Sequence, residues 1–253
     1  MTDLSGRHAL VTGGGSGVGA AIAHALADAG CHVTITGRTA AALEAVCADH
    51  GHIRGVAADV TDLPALRAAF ARAADDGGHV PIVVANAGIA ESQPFHKLEP
   101  AQWQRMIDIN LTGVFNTFKV GLEHMAGAGW GRMVAIASTA GLQGGGYISA
   151  YSASKHGVVG LVRSLAIELG PKHITVNAVC PGYIDTPMTD RTLANITSKT
   201  GMSREEAAKQ LLKDVPTGRF ITAAEVAGSV LWLCSDAARS ITGETVVING
   251  GQP

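Results

Sequence analysis

Short runs of consecutive apolar residues alternate along this chain with longer Ala-rich segments whose apolar positions recur at helical spacing. The runs predict strands at His8–Thr12, Cys31–Thr36, Ile53–Ala58, Val80–Ala85, Arg132–Ser138, Ile174–Val179 and Thr245–Ile248. The periodic segments predict helices at Ala20–Ala29, Ala40–Asp49, Leu63–Ala74, Ala101–Met125, Tyr151–Leu169 and Ala223–Leu233. Gly30 supplies a stop for the first helix, and Pro64 fits the first turn of the third. Strands that are apolar throughout must be covered on both faces, and a helix after nearly every strand implies parallel connections. The expected fold class is therefore α/β, a doubly wound parallel seven-stranded sheet with helices on both faces. No linker or repeat divides the pattern, so residues 1–253 are expected to form a single domain. Only Thr189–Val215 breaks the rhythm: polar, charged and helix-prone between Pro187 and Pro216, it predicts a helical lid inserted over the sheet edge.

Composition narrows the picture by exclusion. Of 253 residues 47% are apolar and 16% charged, which excludes a disordered chain. Lys and Arg total 19 against 21 Asp and Glu, a formal charge of −2 without a basic run, so no nucleic-acid or membrane partner is expected. No segment approaches the apolar length of a membrane span, and Met1–Arg7 lacks a signal-peptide layout, which together predict a cytoplasmic protein. Cys31, Cys47, Cys180 and Cys234 lie far apart and read as reduced core thiols. The ten histidines show no ligand spacing, His50 and His52 read as surface, and no metal is expected. Glycine is the outlier, with 32 residues, about 13% against a usual ~7%.

The glycines concentrate where the first strand ends, in Thr12-Gly13-Gly14-Gly15-Ser16-Gly17-Val18-Gly19. A strand, a glycine turn and a helix start let backbone approach a pyrophosphate and aim a helix N-terminus at its charge. The spacing G-x-x-x-G-x-G is neither G-x-G-x-x-G nor a P-loop, and a glycine turn without a ligand is the plainer alternative. An NAD site places an acid near the end of the second strand, whereas here Thr36-Gly37-Arg38-Thr39 offers a guanidinium. Its planar fork matches a 2′-phosphate, so NADP(H) is expected in preference to NAD(H); the alternative is a solvated surface arginine.

Ser138 closes the fifth strand, and Tyr151 and Lys155 follow at i and i+4 on one predicted helix. A phenol near pKa ~10 is a poor base at neutral pH, and a neighbouring ammonium stabilises the phenolate. A Tyr-x-x-x-Lys pair alone occurs on any packed helix; the glycine loop and the serine give it meaning.

Together these residues resemble the short-chain dehydrogenase/reductase family in its compact branch of about 250 residues. The resemblance spans the chain through Thr12-Gly13-x-x-x-Gly17-x-Gly19, Asn86-Ala87-Gly88, Asn110, Ser138, Tyr151-x-x-x-Lys155 and Pro181-Gly182. It implies a Rossmann-type sheet and a catalytic set of Asn110, Ser138, Tyr151 and Lys155. Tyr151 would exchange the proton of the substrate oxygen, Ser138 would hydrogen-bond that oxygen, and Lys155 would hold the nicotinamide ribose while depressing the Tyr151 pKa. Asn110 would anchor a proton-relaying water; a kink-filling asparagine is its structural alternative. The cofactor would meet Gly13, Ser16, Gly17, Val18, Gly19 and Arg38, then Asp59 and Val60 at the adenine. It would continue past Asn86, Ala87 and Gly88 to Tyr151 and Lys155, with Pro181, Gly182, Ile184 and Thr186 at the nicotinamide. Ala85 stands where the family often doubles the asparagine, and Asn249 where it often has Asp. The resemblance also implies a homotetramer paired through Ala101–Met125 and Tyr151–Leu169, where Gly157 and Gly160 would permit close approach.

The expected reaction interconverts a ketone and a secondary alcohol by hydride transfer. Selectivity would come from Gly141–Ile148, Tyr183, Met188 and the lid, whose length resembles that of polyketide ketoreductases and 3-hydroxyacyl reductases. A β-ketoacyl thioester or a cyclic or aromatic ketone is the expected substrate. The competing readings are a non-catalytic dinucleotide-binding sensor or scaffold, which has no need of a Tyr beside a Lys, and an NAD-dependent secondary-alcohol dehydrogenase. A sugar-nucleotide epimerase or dehydratase needs a separate substrate domain, for which 253 residues leave no room.

Overall fold

Seven parallel strands form one sheet in the order β3-β2-β1-β4-β5-β6-β7 among the described residues. They are β1 (His8–Thr12), β2 (His32–Gly37), β3 (Ile53–Ala57), β4 (Ile82–Ala85), β5 (Gly131–Ile136), β6 (Ile174–Pro181) and β7 (Thr245–Ile248). The computed structural model describes residues 2–75 and 78–252, so residues 1 and 253, the ends of the expected 1–253 span, lie outside the described residues. Strand order reverses between β1 and β4, and the connections leave a crevice there at the carboxyl ends, where open α/β sheets bind ligands.

Side chains alternate between two cores, as the period-two geometry of a strand requires. Val11, Ile82, Val84, Val134 and Ile136 enter one core with α1 (Gly17–Asp28), α2 (Ala40–Ala48) and α9 (Ala223–Cys234). Leu10, Val83, Ala85, Met133 and Ala135 enter the other with α3 (Leu63–Ala74), α5 (Gly113–Met125) and α6 (Ser149–Leu169). Ile22 and Phe70, one from each layer, are fully buried. This two-sided burial is why the strands lack polar alternation. Cys31, Cys180 and Cys234 are buried and all four cysteines are unpaired; burial pushes the Cys31 and Cys234 thiols up to about 12.

Two predicted elements change. The expected helix Ala101–Met125 is three pieces: α4 (Pro100–Ile107), a π-helical turn (Asp108–Thr112) and α5. The expected lid resolves into α7 (Pro187–Thr200) and α8 (Arg204–Leu212), parted at Gly201, whose φ of 74° ends α7 in the left-handed region. Capping by Ser203 and Glu206 starts α8, and Arg204 reaches back to Asp190 at 2.5 Å. Strand β4 is shorter than predicted because Pro81 has no N–H for the ladder, though its carbonyl accepts from Arg132. No helix among the described residues is long and apolar enough to cross a membrane.

His8 opens β1 in the core. One ring nitrogen pairs with Thr34 Oγ1 at 3.0 Å and the other is buried without a partner. Burial, followed by the charges of Arg54 and His32, holds its pKa down at about 4. The unfolded chain therefore binds a proton near 6.5 that the folded chain refuses until about 4, so folding stability falls as pH drops through that window. The shift corresponds to roughly 3 kcal/mol. Urea unfolding at both ends of the window should show wild type losing about that much more stability than His8→Gln; equal losses would show that His8 is not the titrating group.

Candidate active site

The crevice is built on a close approach between the chain after β1 and the chain after β4. Thr12 Oγ1 accepts from the N–H groups of Asn86 and Ala87 at 3.1 and 3.2 Å. The Asn86 amide in turn donates to the carbonyls of Thr12 and Gly13 at 2.9 and 3.2 Å. Glycine is required here for space: a Cβ on Gly19 would lie 2.2 Å from the Gly13 carbonyl oxygen and 2.5 Å from Asn86 Nδ2. Gly13 and Gly17 also hold positive φ, of 67° and 54°. Helix α1 then starts at Gly17 with no acid in its first turn, and Ser16 before it makes no side-chain capping bond. Its free N–H groups, that hydroxyl and a cradle that any Cβ would fill fit a pyrophosphate.

The other expected cofactor residues lie along the same edge. Arg38 is exposed after β2, and its charge acts on Asp59 after β3. Burial raises the Asp59 carboxyl, but hydrogen bonds from the Thr61 N–H and hydroxyl, with Arg38, hold it below its ordinary value. The Val60 side chain is buried beside Gly113 and its carbonyl accepts from Asn116. A cavity of about 640 Å³ opens from Asp59 along α4 and the π turn. At the far end Pro181 closes β6, followed by Gly182 and Ile184, with Thr186 at the start of α7. Thr186 faces the glycine loop, its Cγ2 3.5 Å from where a Gly17 Cβ would stand.

Between these ends the polar residues converge. Ser138 follows β5, receives the Ala140 N–H at 3.1 Å and donates to the Pro181 carbonyl at 3.4 Å. It also stands near enough to the Tyr151 phenol to favour the ionised form. Lys155 is buried in α6, donates to the Ile136 carbonyl at 2.8 Å, and stands 5.8 Å from the Tyr151 ring centre. Burial brings its pKa down to about 8. The phenol departs from the expected depression: burial raises it, with Ser138 opposing.

Asn110 sits fully buried in the π turn. It accepts from the Ile89 N–H at 2.8 Å and donates to the Ile89 carbonyl at 2.9 Å. It also lies 3.2 Å from Ser154 Oγ, and the Ser154 hydroxyl donates to the Tyr151 carbonyl at 2.7 Å. The side-chain amide thus has both ends engaged by the protein, and the wider turn is what brings it into reach. Asn110 Oδ1 and Lys155 Nζ both flank Gly88, 3.2 and 3.7 Å from a Cβ built there.

Sequence reasoning missed several participants. Ser154 lies three residues after Tyr151, a spacing that could have marked it. Cys180 is buried beside Tyr151 and Lys155, its thiol raised by burial. Tyr147 is exposed at the mouth with φ 66°, its carbonyl accepting from the Gln93 N–H at 2.7 Å. Only the fold joins Gln93 to Tyr147, so no local signal announced it. Asn195 of the lid reaches Ser92 at 3.2 Å. Leu193 is buried and packs within the lid region. Among the described residues no three His, Cys, Asp or Glu side chains are grouped to hold a metal.

Fold and edge define a doubly wound α/β protein built to hold a dinucleotide at its switch point. The chain belongs to the short-chain dehydrogenase family, whose model matches residues 7–197, and is an oxidoreductase acting on CH–OH or C=O groups. It is 41% identical to cis-4-hydroxycyclohexanecarboxylate dehydrogenase of Sinomonas cyclohexanicum, covering 97% of this chain and 96% of that one. It is 36% identical to 3-oxoacyl-(acyl-carrier-protein) reductase of Aquifex aeolicus (strain VF5), covering 98% of both. The solved structure of a variant of actinorhodin polyketide ketoreductase with NADPH superposes with a TM-score of 0.94 at 36% identity, covering 97% of each chain.

The crowding at Gly19 can be tested directly. Gly19→Ala should force the two loops apart and cost about 1–3 kcal/mol, read as a lowered thermal midpoint, together with weakened dinucleotide binding in a calorimetric titration. Unchanged values for both would show that the loops do not need this approach.

Proposed function

We propose that this protein is an NADP(H)-dependent oxidoreductase interconverting a ketone and a secondary alcohol, with Tyr151 as acid/base. The observation that carries the reading is the convergence of Ser138, Tyr151 and Lys155 beside the glycine cradle. When bound, the nicotinamide supplies or accepts the hydride at the carbonyl carbon. The loop from Gly13 to Gly19, with Ser16 and the α1 N-terminus, holds the pyrophosphate, and Arg38 holds the 2′-phosphate. Asp59 and the Val60 backbone meet the adenine, and Asn86, Ala87 and Gly88 line the channel. Pro181, Gly182, Ile184 and Thr186 bound the nicotinamide side.

Ser138 donates a hydrogen bond to the substrate oxygen, and Tyr151 gives that oxygen a proton in reduction or takes it in oxidation. Lys155, anchored by the Ile136 carbonyl, holds the ribose hydroxyls. Asn110 is a positioning residue: it fixes Ile89 next to Gly88 and, through Ser154, braces the backbone of Tyr151. The whole span 1–253 acts as one catalytic unit. Its substrate is a β-ketoacyl thioester or a cyclic or aromatic ketone, admitted past the open Gly144 and Gly146 and flanked by Tyr183 and Met188. Similarity to a 3-oxoacyl reductase, a cyclohexane-ring dehydrogenase and a polyketide ketoreductase supports that class. Exposed Phe115 on α5 and Ile167 on α6, with open space at Gly160, support a homotetramer paired through those helices.

Tyr151→Phe should lower turnover at least about a hundredfold while NADPH affinity stays within a few-fold. In wild type the kcat/KM for alcohol oxidation should rise through the alkaline range as the phenol ionises, and ketone reduction should fall, because burial raises the phenol pKa. Near-normal activity of the variant would remove Tyr151 from its role, and NADPH binding without turnover on any ketone would favour the sensor. Arg38→Asp should move the NADPH-to-NADH preference about tenfold or more toward NADH; an unchanged ratio would show that Arg38 does not bind the phosphate.

A further inference from the structure

At the amino ends of the same strands, on the order of 20 Å from the catalytic edge by the length of β6, lies a second cavity of about 420 Å³. Trp130, Arg132, His173, Thr175, Arg239 and Ser240 line it together with backbone, and no carboxylate does. Its size falls in the range of small-molecule sites.

Arg132 is the unusual element. It is the second residue of β5 and only 5% exposed, yet it forms no salt bridge among the described residues. Its Nη1 donates to the Gly131 carbonyl at 2.9 Å, while its Nε is buried without an acceptor. Asp236 acts on this charge from a distance without pairing to it. The indole N–H of Trp130 is likewise buried without an acceptor. The guanidinium carbons of Arg7 and Arg132 lie 4.6 and 4.9 Å from the Trp130 ring centre, which fixes both cations by cation–π contact. Arg239, exposed on the opposite rim, also has no ion pair among the described residues.

A buried guanidinium that lacks a carboxylate is costly unless an anion completes it. Arg132 lines the cavity together with Arg239, His173, Thr175 and Ser240, which add further donors around it. The lining is donor-rich and without a carboxylate, with Asp236 the acid that acts on Arg132 from beyond it, which favours a phosphate over a cation or a neutral ligand. We propose that this cavity is a phosphate-binding site, separate from the glycine loop, that takes the phosphate group of a small molecule between Arg132 and Arg239.

The test is a titration of the full chain with inorganic phosphate and with glycerol 3-phosphate at constant ionic strength, followed by tryptophan fluorescence and thermal midpoint. Both readouts should saturate, and Trp130→Phe should remove the fluorescence change while keeping the midpoint rise. Arg239→Ser, an exposed substitution that breaks no bond within the fold, should weaken binding at least about tenfold, and Arg132→Met should abolish it. If Arg132→Met fails to fold, Arg239→Ser carries the result alone. Arg38→Ser should leave the titration unchanged, which separates this site from the 2′-phosphate position beside the glycine loop. Tighter binding of glycerol 3-phosphate than of inorganic phosphate would assign the site to phosphate esters, and the reverse to the free ion. The proposal fails if neither probe saturates, if Arg239→Ser binds as wild type does, if the response disappears in Arg38→Ser instead, or if acetate saturates as tightly as either phosphate.

Discussion

The architecture turns on how near the chain leaving β1 comes to the chain leaving β4. Asn86 and Ala87 donate four hydrogen bonds to Thr12 and Gly13 across that gap, and Gly13 and Gly19 remove the side chains that would prevent them. Once the two backbones are locked, the start of α1 is aimed along the crevice with its N–H groups free. The segment Asn86–Gly88 becomes the crevice wall, and Ile89 reaches the amide of Asn110. A wider gap would leave α1 pointing elsewhere and Asn110 unsatisfied in the core, a cost of a few kcal/mol for each buried polar group left unpaired.

The site that follows is expensive to build. Tyr151 and Lys155 are both held where burial opposes charge, the phenol raised and the ammonium brought down to about 8. The fold offsets this with directed partners: Ile136 for the ammonium, Ser138 for the phenol, and Ser154 beneath the Tyr151 backbone. Such an arrangement makes proton exchange sensitive to what enters the crevice, because an added charge acts on groups with little water around them. The opposite end of the sheet shows the same economy of polar burial at His8 and Arg132, each with a nitrogen left unpartnered. There the protein has tolerated incomplete satisfaction away from the chemistry, and in the case of Arg132 beside a cavity.

Much of the fold was legible because it is encoded at short range. His8–Thr12, Leu63–Ala74 and Thr245–Ile248 match the structure end to end, and the other strands differ by a residue or two, as element ends commonly do. Each is fixed by a local period, a turn residue or a proline. The grouping of Ser138, Tyr151 and Lys155 was legible for a related reason. A parallel sheet puts the ends of successive strands on one edge, and a four-residue spacing puts two side chains on one helix face.

What the sequence could not show depended on partners far away in the chain. Asn110 reads as one polar residue in a continuous helix, and only its bonds to Ile89 and Ser154 explain the π turn that interrupts Ala101–Met125. The burial of the Val60 side chain beside Gly113, with its carbonyl held by Asn116, likewise depends on residues far along the chain. The pairing of Tyr147 with Gln93, and the orphaned face of Arg132, have no local signature at all. The order of strands and helices, the glycine turn and the residue types of the candidate site were thus set by the sequence through local periodicity and spacing. The direction of the Tyr151 shift, the break at Asn110 and the second cavity were decided by tertiary packing, because burial and hydrogen-bond satisfaction are properties of neighbours in space.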